Sequence, residues 1–156
     1  MRTIDRLLSE YGESHQNPTN KAVHWVCVPV IFWSVTALLW SLKIPVELPG
    51  LGILLNGAII ALTLVLIYYV TLSPSLAFGM LLFSLACLAL CRIVETRVGF
   101  PLWAVAVIAF VAAWIGQFWG HGIEGKKPSF LKDLQFLLVG PAWLMHFLYK
   151  KAGIGY

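Results

Sequence analysis

LPGLGILLNGAIIALTLVLIYYVTLSPSLAFGMLLFSLACLALC, Leu48 to Cys91, runs for 44 residues without one Asp, Glu, Lys or Arg. A helix rises about 1.5 Å per residue and needs about 20 residues to cross a hydrocarbon layer of about 30 Å. The run is therefore twice as long as one span needs. A turn signal, Thr71-Leu-Ser-Pro-Ser75, sits within it. The stretch reads as two spans joined as a hairpin, about 49–70 and 74–92. Working outward, Ala22–Leu42 is free of charge for 21 residues and Val98–Ile123 for 26. These predict spans at about 22–42 and 100–120. A fourth run, Leu134–Tyr149, has 16 residues with Gly140-Pro141 near its middle. It reaches only about 24 Å as a helix, and a proline inside a helix removes a hydrogen bond and clashes with the preceding turn. The segment about 131–149 therefore reads as broken or re-entrant, with a Pro-kinked fifth span as the alternative.

The whole composition agrees. Of 156 residues, 60% are hydrophobic and 12% charged, half the charge of an ordinary soluble domain. Mean hydropathy is +0.83. This excludes a soluble globule, a disordered chain and a disulfide scaffold. The expected fold is all-α, a single membrane-embedded domain over 1–156: a multi-pass transmembrane bundle of four spans. Ahead of the first span, Thr3 is placed to cap a short helix that Gly12 ends, with Ile4, Leu7, Leu8 and Tyr11 at helical spacing. That is an amphipathic helix suited to a membrane surface. The polar start, Met1 to Arg6, does not resemble a signal peptide.

Lysine and arginine orient the chain. With four spans and a returning last segment, Arg2, Arg6, Lys21, Lys126, Lys127, Lys132, Lys150 and Lys151 share one side, against Lys43, Arg92 and Arg97: eight against three. A fifth span would make it six against five. The N-terminus is thus expected to be cytoplasmic. The net charge of +4 suits lipid headgroups or an anionic lipid substrate and calls for no nucleic acid. Cys27, Cys87 and Cys91 lie within or at the ends of apolar runs and read as small core residues. The seven tryptophans fit interfacial belts and packing. Gly57, Gly79 and Gly116 read as sites of close helix contact.

The polar residues that remain are concentrated. One cluster runs from Tyr11 through Gly-Glu-Ser-His15-Gln-Asn17-Pro-Thr-Asn20-Lys21 to His24, and another from Gln117 through His121 and Glu124 to Pro128. The charge-derived topology brings all four histidines, His15, His24, His121 and His146, to one face. Ionisable groups at membrane depth are costly and point to function, and neutral imidazole is a common metal ligand. Four histidines fit one metal ion held by three or four imidazoles and are about half the number a histidine-rich di-iron enzyme would use. Zinc and iron both stay open on ligand type alone. A haem carrier ranks low, because the spans at 49–70 and 74–92 contain no histidine. A non-enzymatic assembly factor or transporter leaves the clustering without a purpose.

The pattern Tyr11…His15-Gln-Asn-Pro-Thr-Asn-Lys…His24…Pro29, with Gly120-His121-x-x-Glu124-x-x-x-Pro128 and Gly140-Pro141…His146, resembles the membrane-bound 2-hydroxy fatty acid dioxygenases of fatty acid α-oxidation and phytosphingosine breakdown. The likeness covers nearly the whole chain. It implies an oxidoreductase with one Fe(II) per chain that uses O2 to cleave C1–C2 of a 2-hydroxy fatty acid, giving the acid one carbon shorter. A zinc-dependent membrane lipid hydrolase, or a non-enzymatic haem- or metal-binding membrane protein, is the alternative. On this likeness His15, His24, His121 and His146 are the expected ligands. Glu124 is expected to orient a ligand, ahead of shuttling a proton or supplying an oxygen ligand. Asn17 and Asn20 would hold His15 or His24, or cap the first span. Lys21, Lys126 and Lys127 would attract the carboxylate. The host membrane would be the inner membrane in a bacterium and the endoplasmic reticulum in a eukaryote.

Overall fold

A computed structural model of the chain describes residues 2–13, 15–125 and 137–156. Its elements are α1 (Thr3–Gly12), α2 (Pro18–Trp40), β1 (Lys43–Leu48), β2 (Ile53–Asn56), α3 (Gly57–Leu72), α4 (Pro74–Arg97), α5 (Leu102–Glu124) and α6 (Val139–Lys151). The fold is mostly helical. Three helices, α2, α4 and α5, are long and apolar enough to cross a membrane; α3 is apolar but has 16 residues. Their outer faces carry large exposed side chains such as Leu64, Phe78, Ile108 and Ile115. A soluble monomer rarely shows apolar surface on this scale.

Local sequence explains the boundaries. Asn17 caps α2, its side-chain oxygen accepting from Thr19 N–H at 2.8 Å, and Pro18 takes the first helical position, where no N–H is needed. Ser73 alone separates α3 from α4. Its hydroxyl accepts from Leu76 N–H at 3.2 Å, with Pro74 opening the helix. The turn signal at 71–75 thus marks a real helix junction. Gly125 ends α5 in the left-handed region at φ 72°, which glycine adopts without strain.

Four expectations are corrected. Residues 49–56 are not helical: β1 and β2 form an antiparallel hairpin pairing Glu47 with Leu54 and Leu48 with Ile53, so the fold is not purely α. Gly50 and Gly52, at φ 75° and 59°, shape the turn. Asn56 then starts α3 by accepting from Ile59 N–H at 3.2 Å. An apolar run says nothing of where its helix begins, and here glycine and the asparagine cap decide. Secondly, Thr3 does not cap α1; the cap position is Arg2, without a side-chain bond. Thirdly, the α1 stripe of Ile4, Leu8 and Tyr11 is buried in protein, in one core with Trp143 and Leu144 of α6, because α6 offers it an apolar groove. Lastly, Gly140-Pro141 does not fall in the middle of a helix. It lies in the first turn of α6, where a missing N–H costs nothing. Residues 131–136 of the expected last segment lie outside the described residues.

The helices run up and down. α2 and α5 form the most extensive pairing and are antiparallel: Gly120 meets Asn20 and Val23, and Gly116 meets Cys27, while Ala37 packs with Leu102 and Ala106 at the opposite end. At that opposite end Glu95 accepts from Trp40 Nε1 at 3.0 Å and pairs with Lys43 at 2.8 Å. α6 stays at the end of the α3–α4 turn. The Tyr69 hydroxyl bonds the Leu138 carbonyl, and the Tyr149 hydroxyl donates to the Ser75 carbonyl at 2.7 Å.

Gly116 and Gly120 allow two helix backbones to close on each other. A Cβ added at Gly116 would stand 2.7 Å from Cys27 Sγ, whereas one at Gly122 would meet nothing within 4 Å. Gly116→Val is therefore expected to destabilise the bundle by about 1–3 kcal/mol through overpacking. Thermal unfolding in detergent should show this loss, with Gly122→Ala unchanged or stabilised by about 1 kcal/mol.

Candidate metal centre

Three of the four histidines meet. His15 lies in the link between α1 and α2, His24 in the second turn of α2, and His121 in the last turn of α5. All are buried, at 3%, 1% and 4% exposure. One ligand nitrogen from each lies within 4.8 Å of the others. The ring centroids are 4.2 Å apart for His15–His24, 5.3 Å for His15–His121 and 4.9 Å for His24–His121. The corresponding planes cross at 77°, 63° and 80°. Nearly perpendicular rings let three nitrogens converge on one point without edge-to-edge clash.

Backbone carbonyls set the rings. His15 Nδ1 is 2.6 Å from the Tyr11 carbonyl and His24 Nδ1 is 2.9 Å from the Asn20 carbonyl. A carbonyl only accepts, so each Nδ1 carries the proton and each Nε2 presents the lone pair. Both bonds span four residues, and for His24 the helical geometry of α2 itself aims the ring. The Tyr11 ring stacks on His15 at 4.3 Å and 13°, and Trp143 backs both, 5.3 Å from Tyr11 and 5.4 Å from His15.

Glu124 ties the contributing segments together. Oε1 accepts from the backbone N–H of Gln16 at 2.9 Å and of Asn17 at 3.2 Å. Oε2 accepts from Asn17 N–H at 2.9 Å and from Asn20 Nδ2 at 3.1 Å. The carboxylate thus fastens the turn between His15 and His24 to the helix end that carries His121. Both carboxylate oxygens are occupied with protein donors. Asn17 caps α2. Asn20 serves twice, its carbonyl holding His24 and its amide holding Glu124.

The remaining expected residues fall elsewhere. His146 is not in the three-histidine group; its Nδ1 bonds the Tyr156 hydroxyl. Burial lowers its imidazole pKa, Lys150 lowers it further and Asp5 opposes them. His146 and the centre share an end of the bundle but not a site: common depth does not fix which way a side chain points around its helix. Lys21 is half-buried in the first turn of α2. Lys126 and Lys127 lie outside the described residues.

Sequence reasoning did not assign Trp143 or Gln117 to the site. Gln117 is buried at 7% exposure and, with Tyr11, His24, Val28, Ile31 and Trp114, lines a cavity of ≈ 20 Å³ beside the histidines, about the room one water needs. Its spacing of four residues from His121, one helical turn, was the available signal. Gly120 has a structural part as well. A Cβ there would lie 2.6 Å from Asn20 Oδ1, so glycine lets Asn20 fit between the helices.

The three nitrogens suit a metal ion. Bonds of about 2 Å place neighbouring nitrogens of one tetrahedral ion about 3.3 Å apart, so closure on an ion needs the most distant pair to approach by up to about 1.5 Å. Three imidazoles leave one position on a tetrahedral ion and three on an octahedral one.

The family model described as 2-hydroxy-palmitic acid dioxygenase Mpo1-like matches residues 1–152. A Saccharomyces cerevisiae protein named 2-hydroxy-palmitic acid dioxygenase MPO1 is 29% identical over 146 residues, covering 92% of this chain and 78% of that protein. No solved structure matches. The match over nearly its full length places this chain in the 2-hydroxy-palmitic acid dioxygenase Mpo1-like family.

Proposed function

We propose that the chain is an Fe(II)-dependent dioxygenase that cleaves C1–C2 of a 2-hydroxy fatty acid. The observation that carries this reading is the buried group of His15, His24 and His121 in a chain of this family. The S. cerevisiae relative is named for 2-hydroxy-palmitic acid, which supplies the substrate class. The balance closes with that acid as the only electron donor: R–CHOH–COOH + O2 gives R–COOH + CO2 + H2O. The C1–C2 bond breaks, C2 rises from alcohol to carboxylic acid, C1 leaves as CO2, and O2 takes up the four electrons. No added reductant is needed.

His15, His24 and His121 would hold one iron. Bound there, it would supply a Lewis-acid and redox centre with positions left for the acid's hydroxyl and carboxylate and for O2. The protein's own part is orientation. Tyr11 and Asn20 carbonyls hold two Nδ1 protons, so the Nε2 lone pairs face inward. Glu124 keeps the α1–α2 link on the end of α5. Tyr11 and Trp143 cover the rings and keep water from them. Lys21, together with Lys126 and Lys127, would draw the carboxylate towards the site from the headgroup region. In the membrane we place four spans, α2 to α5, with the N-terminus and the histidines on the cytoplasmic side and α6 returning to that side.

Metal analysis of detergent-purified protein is expected to give about one iron per chain, lost in His24→Ala and in His121→Ala and kept in His146→Ala. Zinc retained with no oxygen uptake on 2-hydroxypalmitate would overturn the proposal. Glu124→Ala should weaken metal binding by about 10–100-fold, the usual loss when a ligand's support is removed. A chelator competition curve reads this, and an unshifted curve would deny Glu124 its positioning part. For the topology, cysteines placed at Arg2 and at Gly153 should react with an impermeant maleimide from the same side of sealed vesicles. Reaction from opposite sides would mean that the last segment crosses.

A further inference from the structure

On α2, Val28, Ile31, Val35 and Leu39 follow His24 at steps of four, three, four and four residues. Such spacing makes one stripe along the helix, descending about 22 Å from the histidine. The upper part of the stripe, Val28 and Ile31, lines the cavity at the metal centre, with Leu137 closing it. Leu137 also lines a second cavity of ≈ 60 Å³, which continues along Val35 and Leu39 against Ala61, Leu62 and Val65 of α3. The two cavities therefore share Leu137 as a wall and follow one stripe.

Among the described residues, α3 and α5 both pack on α2 but share at most marginal contact with each other, which leaves a furrow along α2 beside α3. Phe110, Trp114 and Phe118 form a ladder on α5 at 5.9 and 5.4 Å, and Trp114 walls the upper cavity. Among the described residues that line the lower cavity the one polar side chain is Thr36, whose hydroxyl donates to the Phe32 carbonyl at 2.8 Å. The lower end is closed where Gly57 packs on the Leu39 carbonyl, 2.9 Å from where a Cβ would stand. The furrow is thus polar at its head, apolar along its length and blunt at its foot. That is the form of a site for an amphiphile with one linear alkyl tail.

We propose that the furrow between α2 and α3 holds the alkyl chain of the substrate and that Ala61 and Leu39, at its foot, limit the chain length accepted. This rests on the proposed function for the head of the ligand. A second groove is larger, ≈ 240 Å³, and is lined by Pro29, Trp33, Phe83 and Cys87 between α2 and α4. It lies on the opposite side of α2 and reaches none of the three histidines, so it is suited to bilayer lipid instead.

Two measurements test this on the whole, iron-loaded protein in detergent. A filled foot should reject long chains first. Ala61→Phe is expected to lower the ratio of kcat/KM for 2-hydroxypalmitate over 2-hydroxyoctanoate by about tenfold or more, since each methylene in an apolar pocket is worth about 1–3 kcal/mol. Val65→Phe, nearer the head, should lower it further, and Leu90→Ala in the other groove should leave it unchanged. Independently of turnover, a 2-hydroxy acid with a diazirine at its ω end should crosslink to α2 and α3 around Leu39 and Ala61, as mapped by mass spectrometry. Unchanged ratios in both phenylalanine variants, or adducts at Phe83 and Cys87, would overturn the furrow. Adducts at the foot with no turnover of any 2-hydroxy acid by the unaltered protein would support the furrow and refute the reaction.

Discussion

Three imidazoles can share one buried point only if the segments that bear them are held together, and in this chain the restraint is largely one carboxylate. Glu124 collects N–H donors from Gln16, Asn17 and Asn20. Hydrogen bonds to a charged acceptor are roughly twice as strong as neutral ones. The link between α1 and α2 would otherwise be an irregular strip of polar residues at the edge of an apolar bundle. Bound to the end of α5, it becomes one wall of the centre. His15, stacked on Tyr11 and backed by Trp143, sits next to that attachment, while α1 docks on α6 through an apolar core of its own.

The attachment in turn requires α2 and α5 to lie close. Glycine at 116 and 120 removes the side chains that would keep them apart, and Asn20 fits into the space at Gly120. Hydrophobic burial cannot drive such contact in lipid, where tails are as apolar as leucine; small residues and interhelical hydrogen bonds do so. The bundle therefore places its close packing and its polar bonds along the same helix pair that presents His24 and His121.

Much of this could be read from residues. Missing charge located the helices, because an uncompensated charge in hydrocarbon is expensive at any position. Ser73-Pro74 located their junction. The scarcity of polar side chains made His15, His24, His121 and Glu124 conspicuous. What could not be read follows from the same physics. Hydropathy is indifferent to backbone geometry, so Pro49-Gly-Leu-Gly52 and the hairpin around it were hidden inside an apolar run. Gly140-Pro141 has opposite meanings in the first turn of a helix and in its middle, and composition does not say which applies. His146 shares a depth with the other histidines, but charge patterns report depth alone and not direction around the helix axis. The furrow along α2 depends on which helices fail to touch, a property of the assembled bundle.

The groups that aim His15 and His24 are main-chain carbonyls, those of Tyr11 and Asn20. A side-chain substitution at either position leaves its carbonyl in place as long as the helices form. The ring-holding bonds are therefore genetically silent: a saturation scan would register the loss of Tyr11's stacking or of Asn20's amide and attribute nothing to the acceptors themselves. Only backbone-altering chemistry, such as an ester in place of an amide, would expose their share. The tautomer of the centre is thus buffered against point mutation, and sequence drift at these two positions is free to proceed without changing which nitrogen faces inward.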